Sequence, residues 1–327
     1  MKAVKNAGMG KISKILQNKY FEGSGQDGGW LVPEEISTEV NKQLVDQESI
    51  WSSTRQILTS GNSASQLFDQ TQPWSQGAIK GAWLAEGEPF PESKQKLTKV
   101  KWELKKHGVL VPATNEALDD ATQLENFIRT TVPDAIAYEL DRSLIDGDGI
   151  KEPEGILRSG FLKTIEKENG QAKNTINYLN VIKMYNSIFR KAKKGLIWVC
   201  HQECLDQLRT IQNPNGQYLW LAPGSQMNQT PYPTFMGLPL MEMLSAVSQL
   251  GTRGDILLMN PNWYYRLNKR ENPEVEAAFS MEVDFKSDQG IFRFKIRTDG
   301  RCPFKAPVKA DKGDFTVSAF TTLATRG

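Results

Sequence analysis

Histidine and cysteine are scarce in this chain of 327 residues. The histidines are His107 and His201, and the cysteines are Cys200, Cys204 and Cys302. Metal centres and acid–base catalysis lean heavily on histidine, so its scarcity counts against both kinds of site. So few cysteines do not make a disulfide framework in a chain of this length. The sequence therefore predicts free thiols, as in a protein that folds in the cytoplasm.

Long apolar runs and an excess of one charge are also missing. No run reaches the roughly 18 apolar residues of a membrane span, and residues 1–5 lack the apolar core of a secretory signal. Lys and Arg number 40 against 38 Asp and Glu, a net charge of +2. Sequence-specific nucleic-acid-binding proteins usually have a stronger basic excess, so any contact with nucleic acid has to be local.

One short segment, Cys200–Cys204, has the composition of a metal site. Cys200, His201 and Cys204 could supply zinc ligands, and Cys302 could complete the set. The favoured interpretation is different: Cys200 ends a buried strand, and Cys204 lies on the apolar face of the next helix, where both thiols pack as small apolar groups. Residues 146–151 begin like a calcium loop but lack the ligand and the glycine that such a loop needs at its fifth and sixth positions.

Motifs of common enzyme classes are missing too. The chain has no Gly-x-Ser-x-Gly elbow, no Gly-x-Gly-x-x-Gly after a strand, and only an incomplete P-loop ending at residues 8–11. The sequence thus predicts no catalytic residue, no cofactor and no metal. An α/β enzyme with a site assembled from distant segments stays an alternative, because local motifs do not reveal such a site.

Residues 1–29 differ from the rest of the chain in charge. Five lysines face only Glu22 and Asp27, a helical apolar spacing over residues 12–16 is present, and glycines at 23–29 break regular structure. One interpretation is a solvated tail. The other is a flexible arm that docks on a neighbour or faces DNA, in which case the DNA-facing residues are Lys2, Lys5, Lys11 and Lys14.

Apolar spacing predicts a long amphipathic helix after Asp119-Asp120. Pro133 should kink or divide this helix, because proline removes a backbone donor and crowds the preceding turn. The glycines of residues 146–149 should end it. Its buried face recurs every four residues: Leu124, Ile128, Val132, Ile136, Leu140 and Leu144.

Residues 69–98 are polar and rich in glycine and proline, yet contain Trp74, Trp83 and Phe90. A compact domain rarely has so long an irregular stretch unless it is functional. Strand-like runs at 66–69 and 97–111 flank it and predict a long hairpin that extends from the body. Because an isolated hairpin is marginal in water, its tryptophans are expected to rest on another subunit.

The remaining pattern is α/β. The predicted elements are a helix over 34–50, an extended segment over 53–68, helices over 181–189 and 204–211, buried strands over 196–200 and 255–259, a hairpin of 279–285 with 291–297, and a last strand over 314–320.

A series of short motifs also occurs in a fixed order along the chain. The motifs are Gly28–Glu35, Trp83–Glu92, Val111–Leu118, Leu140–Gly149, Pro153–Ile156, Trp198–Val199, Asn215–Leu219, Gly237–Leu240, Gly254–Leu258, Tyr264–Tyr265 and Phe292–Gly300. Their order and spacing resemble the major capsid proteins of tailed bacteriophages with the HK97-like fold.

The resemblance implies an α+β, HK97-like capsid fold. Its parts would be a peripheral domain with a long spine helix and long β-strands, an axial α/β domain, an extended E-loop hairpin and an N-terminal arm. The implied boundaries are 1–30 for the arm, 31–61 and 99–157 for the peripheral domain, 62–98 for the E-loop, 158–270 for the axial domain, 271–302 for returning peripheral strands, and 303–327 for a C-terminal segment that returns to the axial domain.

The same resemblance implies a function. Subunits would self-assemble as hexamers and pentamers into an icosahedral phage head around double-stranded DNA, in the virion, after assembly in the cytoplasm of a bacterial host. Implied partners are a portal and either a separate scaffolding protein or none, with a decoration protein as an optional further partner and no membrane. The implied inter-subunit residues of the E-loop are Trp74, Trp83, Glu86, Phe90 and Lys94.

Some features set this chain apart from its relatives. No long scaffolding segment precedes Gly28, and His201 stands where many relatives have an asparagine helix cap, which should weaken that cap. Lys94 or Lys96 could cross-link to Asn268 or Asn272, although no catalytic glutamate is identified. The alternative within the same fold is a nanocompartment shell that encloses protein cargo.

Overall fold

The structure is a computed structural model that describes residues 49–75, 77–114, 122–213, 215–218, 234–244, 247–271, 275–284 and 289–327. All of them belong to one compact unit, 43–327. The predicted arm of residues 1–30 lies outside the described residues. So does the predicted helix over 34–50, apart from Ser49 and Ile50, which are not helical.

The described residues form three α-helices and fifteen strands. The helices are α1 (Thr122–Asp146), α2 (Tyr178–Asn186) and α3 (Cys204–Thr210). The strands are β1 (Arg55–Thr59), β2 (Ser63–Asp69), β3 (Leu97–Glu103), β4 (Lys105–Thr114), β5 (Lys163–Ile165), β6 (Ile197–His201), β7 (Thr234–Phe235), β8 (Leu238–Met243), β9 (Ile256–Met259), β10 (Tyr265–Lys269), β11 (Glu276–Asp284), β12 (Gln289–Arg301), β13 (Val308–Lys309), β14 (Thr316–Val317) and β15 (Phe320–Leu323).

Helix α1 is the predicted spine helix. It runs without interruption for 25 residues across Pro133, so the prediction that Pro133 divides it is wrong. Val132 and Ile136, on either side of the proline turn, are both buried in the core. Their packing holds the two halves together against the loss of one backbone hydrogen bond.

A close contact between two glycines ends α1. The Gly155 amide donates to the Gly147 carbonyl at 3.0 Å. A Cβ on Gly155 would lie 2.4 Å from the Gly147 nitrogen, and one on Gly147 would lie 2.1 Å from the Pro153 oxygen. Only glycine fits at either position, because a side chain would overlap backbone atoms that cannot move aside.

The first sheet has five strands in the order β1-β10-β12-β11, with β4 also paired to β12. Strand β12 is the central strand of this sheet. It is 13 residues long and pairs antiparallel with β10, β11 and β4. Its inward residues Phe292, Phe294 and Ile296 share one apolar core with the buried face of α1. The predicted hairpin is confirmed and longer than expected, since β11 and β12 extend beyond 279–297.

The second sheet has six strands in the order β5-β15-β9-β6-β8-β7. Its central strands β15, β9 and β6 consist almost wholly of buried residues, as expected for strands covered on both faces. The predicted strand over 314–320 is wrong in extent. The strand is interrupted at Ser318, because the Ser318 amide donates to the Ser187 carbonyl at 2.9 Å. Strand β14, before the interruption, pairs with β13, and only β15, after it, joins the six-stranded sheet.

A buried ion pair fixes the last strand to this sheet. Arg326 and Asp255 are fully buried and paired with each other. The Asp255 carboxylate also accepts from the Gly251 amide at 2.9 Å and the Ile256 amide at 2.8 Å. Burial raises the pKa of Asp255, and the facing guanidinium opposes that shift. The carboxylate is thus compensated by three donors at a site that water does not reach.

All three cysteines are free and buried. Cys204 Sγ donates to the Asp255 carbonyl at 3.5 Å, and Cys200 lies in the central strand β6. Burial raises the pKa of Cys204 and of Cys302 to about 12 and raises the pKa of Cys200 further. Among the described residues, no group of three or more His, Cys, Asp or Glu side chains could hold a metal ion. None of the described helices has the length and apolar character of a membrane span.

Replacing Arg326 by alanine should lower the unfolding free energy of the unassembled subunit by about 3–5 kcal/mol, because it leaves a buried carboxylate without its counter-ion. Urea unfolding followed by circular dichroism measures this. The matched control is Arg158→Ala, which breaks the exposed pair with Asp146 and should cost less than about 1 kcal/mol. Equal losses for both variants would contradict the assignment.

The native subunit should resist thiol reagents at pH 8. With a pKa of about 12, the thiolate fraction of Cys204 or Cys302 is on the order of 10⁻⁴, whereas roughly a quarter of an ordinary exposed thiol is ionised. Reaction with a chromogenic disulfide should release three equivalents only after unfolding in guanidinium. Release of one equivalent from the folded subunit within seconds would show an accessible thiol and overturn the prediction.

Candidate assembly surface

The predicted E-loop begins as a two-stranded hairpin rooted on the first sheet. Strands β2 and β3 pair antiparallel from Ser63↔Glu103 to Asp69↔Leu97. Alternation places Phe68, Val100 and Trp102 on one face, where they pack against Tyr265 and neighbouring apolar residues of β10. The Phe68 and Tyr265 rings meet edge to face, 5.4 Å apart. Aromatic packing therefore fixes the direction in which the hairpin leaves the body.

The opposite face of this root is exposed and partly apolar. Leu67 and Leu97 are 64% and 52% exposed. They lie diagonally across the strand pair, because Leu67 pairs with Lys99. The sequence interpretation did not single them out, although the alternation with Phe68 places Leu67 on the outer face. This face is a second apolar surface that the described residues leave uncovered.

The base of the loop is tied to the C-terminal segment. Trp74 Nε1 donates to the Lys309 carbonyl at 3.0 Å, and Gln70 Nε2 donates to the Pro303 carbonyl at 2.9 Å. Across the loop, the Lys96 amide donates to the Gly77 carbonyl at 3.0 Å. Trp74 thus anchors the base of the loop within its own chain, and its predicted inter-subunit contact stays a prediction for the 44% of its surface that is exposed.

The tip of the loop, residues 81–92, projects into solvent without strand structure. Trp83 is fully exposed and Phe90 is 87% exposed. A single turn, in which the Glu88 carboxylate accepts from the Ala85 amide at 3.0 Å, shapes the tip. Of the other predicted contact residues, Glu86 lies in this turn and Lys94 on the returning segment, both exposed. The predicted long hairpin is therefore confirmed at its root and replaced by irregular chain beyond Asp69.

An open groove lies beside the base of the loop. Its volume is about 940 Å³, and it is bounded by the loop base, by residues of the connections between strands at 161, 189–191 and 263, and by the C-terminal segment. Phe189 and Trp263 meet edge to face at 4.8 Å, and Trp263 lies 5.3 Å from Phe304. The aromatic residues that line the groove are Trp74, Phe161, Phe189, Trp263, Phe304 and Phe315.

The rim of this groove is charged. Arg190 and Lys191 line it side by side, are exposed, and have no ion pair among the described residues. Lys309 lines it too and pairs with Asp314 at 2.7 Å, while Asp69 and Asp311 supply carboxylates. Sequence reasoning missed the groove, because its walls come from segments up to about 250 residues apart, none of which has a motif of its own.

Of the candidate asparagines for cross-linking and the candidate lysines for DNA contact, only Asn268 lies among the described residues. Asn268 is 5% exposed in β10 and its side-chain oxygen accepts from Thr298 at 2.8 Å, so it does not present itself to a neighbour's lysine. Asn272 lies outside the described residues, as do Lys2, Lys5, Lys11 and Lys14.

His201 ends strand β6, and the N-cap of α3 is Glu203, two residues later, so the prediction that His201 caps this helix is wrong. The His201 Nδ1 accepts from the Glu203 amide at 3.3 Å. His107 is half-buried in β4 opposite Ile296. His107 lines a small pocket of about 260 Å³ together with Glu139, Ser143 and Glu152.

Comparisons with known proteins agree with this architecture. The chain matches the model of the phage capsid family over residues 28–310. No curated protein sequence matches it.

Similar solved structures cover almost the whole chain. The capsid of a native GTA particle is 16% identical and superposes with a TM-score of 0.71, over 92% of this chain and 97% of that one. The capsid of the empty GTA particle is 16% identical and superposes with a TM-score of 0.67, over 94% of this chain and 99% of that one. A structure from Microbacterium phage Oxtober96 is 14% identical and superposes with a TM-score of 0.65, over 92% of this chain and 98% of that one.

These likenesses establish the fold, and the family model establishes the family. The α+β arrangement of a spine helix, two sheets and a projecting loop is the one found in phage capsid structures and agrees with the HK97-like resemblance of the sequence. The chain belongs to the phage capsid family.

Proposed function

We propose that this chain is a major capsid protein that self-assembles as hexamers and pentamers into an icosahedral head around double-stranded DNA. The observation that carries the proposal is the pair of exposed aromatic side chains, Trp83 and Phe90, at the tip of a loop whose base is fixed. Within the part of the chain that the structure describes, these two side chains stay exposed. A shell of identical copies supplies a partner beside every subunit, so the loop gains its contacts on assembly.

The two sheets support the proposed division into domains. Helix α1 with the five-stranded sheet corresponds to the peripheral domain, and the six-stranded sheet corresponds to the axial domain at the centre of a capsomer. Strand β10, at the end of the proposed axial range, pairs within the first sheet, so the boundary near residue 270 is better drawn before Tyr265. Loop residues 62–98 then project from the edge of the peripheral domain.

The energy of each contact is modest and the shell multiplies it. Burying one large aromatic side chain contributes about 1.5–3 kcal/mol. Each subunit would give one loop tip and receive another, so a small gain per contact is repeated throughout a closed shell. Contacts of this strength allow wrongly placed subunits to dissociate before the shell closes.

The proposal includes other components of a virion. A scaffolding protein separate from this chain, a portal and a decoration protein would act with it, and assembly would precede DNA packaging in the cytoplasm of the host. Contact with DNA would be independent of sequence, through phosphates. The near-neutral charge of the chain suits DNA that must slide during packaging. A capsid role requires no catalytic activity.

Electron microscopy of the purified chain tests the proposal. Closed shells, or free hexamers and pentamers that close when scaffolding protein is added, would support it. Shells that lack nucleic acid and hold a bound cargo protein in the native source would instead support a nanocompartment. Monomers or dimers that persist with scaffold present would contradict both and favour an enzyme with a dispersed site.

The variant Trp83→Ala should fold normally and assemble poorly. Losing about 2 kcal/mol per subunit contact raises the concentration at which shells form by roughly 30-fold. Sedimentation of serially diluted subunit measures that threshold. The matched control is Ile150→Ala, which truncates a side chain that is 79% exposed and outside the loop. If Trp83→Ala assembles at the wild-type concentration, the loop tip does not make the contact assigned to it.

Neutralising the arm by replacing Lys2, Lys5, Lys11 and Lys14 with glutamine should reduce packaged DNA. The four lost cations would weaken phosphate contact and flatten its salt dependence. Nuclease-protected DNA per particle, measured by quantitative amplification, reports the effect. The control replaces four exposed lysines of the described chain instead: Lys167, Lys173, Lys194 and Lys312. Equal DNA content in arm and wild-type particles would remove these lysines from DNA contact.

A further inference from the structure

The projecting loop joins the body at a break between two strands. Strand β3 ends at Glu103 and β4 begins at Lys105, so that Leu104 belongs to neither. The Leu104 amide donates to the Asn62 carbonyl at 2.8 Å, where the β2–β3 hairpin ends, and pairing with β12 starts at Lys105, opposite Thr298. The chain therefore passes from the hairpin to the first sheet at a single residue, which can act as a hinge.

One buried carboxylate holds this hinge from both sides. Asp299 of β12 is 1% exposed. Its Oδ2 accepts from the Glu103 amide at 2.9 Å, on the loop side of Leu104. Its Oδ1 lies 3.1 Å from Lys105 Nζ, on the body side.

We propose that Asp299 is a positioning residue that locks the hinge at Leu104 and sets the angle at which the loop leaves the body. The contacts of Asp299 and Lys105 form this hinge lock. In the proposed shell, the loop angle would in turn set the curvature. The second step rests on the proposed function, whereas the first concerns the single subunit.

Lys105 extends the hinge lock to the end of the spine helix. Its Nζ donates to the Gly149 carbonyl at 2.9 Å and to the Glu152 carbonyl at 2.7 Å, both in the turn that follows α1. Its side chain is only 16% exposed, so the ammonium takes its partners from the protein rather than from water. The hinge is thereby tied to two elements, to β12 through Asp299 and to α1 through Lys105.

The other contacts of the loop leave its exact tilt undetermined. Apolar residues of β2, β3 and β10 hold the hairpin on the sheet, but such contacts are non-directional and tolerate small tilts. Gln70 and Trp74 restrain the loop farther out, by single side-chain hydrogen bonds to the C-terminal segment. A hydrogen bond weakens steeply when its angle is distorted, and charge-assisted contacts are the stronger kind. The contacts of Asp299 therefore select one tilt from the range that the packing permits.

In the proposed shell, every copy would contribute the same loop angle. A small change in that angle is repeated around each ring and over the whole shell. Identical head-to-tail contacts generate a closed assembly only when their rotations close. A narrow range of loop angles would therefore give one shell size, and a wide range would give shells of several sizes together with open fragments.

Distances between spin labels test the hinge lock in the unassembled subunit. Labels are attached at Leu67→Cys, on the outer face of the hairpin, and at Ala135→Cys, on the exposed side of α1. The three native cysteines are buried and should not react. The variant Asp299→Asn removes the charge at nearly constant shape. It should widen the distribution of label-to-label distances about twofold or more, because several tilts become populated.

A second variant separates the angle from stability. Lys105→Met with Asp299→Leu replaces the buried ion pair by apolar side chains, a change that is often neutral for stability. Urea unfolding checks that it is folded, and its distance distribution should widen as that of Asp299→Asn does. The matched control, Lys101→Gln with Glu103→Gln, breaks an exposed ion pair on the same side of the hinge. It keeps the Glu103 backbone amide and should leave the distribution unchanged.

Electron microscopy of the same variants tests the step from loop angle to curvature. Shells of the wild-type subunit should have one diameter. The fraction of particles with that diameter should fall about threefold or more in both lock variants and stay unchanged in the control. Lock variants with widened label distances but shells of wild-type diameter would overturn this step.

The label distances separate the hinge lock from the proposed function. If both lock variants keep the wild-type distribution, Asp299 does not lock the hinge, and the inference is wrong whether or not shells form. If the control widens the distribution as much as the lock variants do, exposed charge rather than the buried contact sets the angle, which also overturns the lock. If the wild-type subunit never forms shells, the capsid function and the curvature step fall together, while the label distances still decide the lock.

Discussion

The close approach of Gly147 to Gly155 is the constraint on which the rest of the structure depends. It ends α1 and turns the chain directly toward the second sheet. At the same point the Glu154 amide donates to the Gly300 carbonyl at 2.8 Å, and Tyr264 Oη donates to the Glu154 carbonyl at 2.9 Å. One turn thereby joins the spine helix to β12 of the first sheet and to the segment between β9 and β10 that links both sheets. Any side chain at either glycine would separate these parts by the width of a methyl group, in a region packed too tightly to yield.

Much of this fold could be predicted from the sequence because its signals are local. The four-residue recurrence from Ile128 to Leu144 fixes the buried face of α1, and the apolar run at 196–200 predicts strand β6 within one residue. Pro133 does not divide α1 as one of the two predicted outcomes required, because a local penalty of a few kcal/mol is outweighed by tertiary packing on both sides, and the predicted kink stays a prediction. The strand expected over 314–320 failed for a similar reason: Ser318 bonds to Ser187, a partner 131 residues earlier, and sequence patterns do not contain such a partner.

The candidate site, too, was predictable only where its sequence signals are local. The exposed tip was predictable, because three large aromatic residues in a stretch rich in glycine and proline cannot form a core of their own. The groove was not, because its aromatic walls come from Phe161, Phe189, Trp263 and Phe304, which lie in four separate segments and look in the sequence like ordinary core residues. These residues meet only in the folded chain, where the loop base and the C-terminal segment complete the groove. Trp74 shows the limit of composition most directly, since the same residue type serves as an anchor at the base and as an exposed contact at the tip.

A fixed base and an unsupported tip are suited to different stages of assembly. The hydrogen bonds from Trp74 and Gln70 and the packing of Phe68 hold the direction of the loop before any neighbour arrives, which removes much of the ordering cost that a flexible arm would incur on binding. In the proposed shell, the irregular tip would have to fit slightly different angles between neighbours in hexamers and pentamers. A loop rigid throughout would favour one of the two angles, and a loop flexible throughout would lose the gain from aromatic burial to conformational entropy. The division between Asp69 and the tip would then let one sequence form both kinds of ring of the proposed shell.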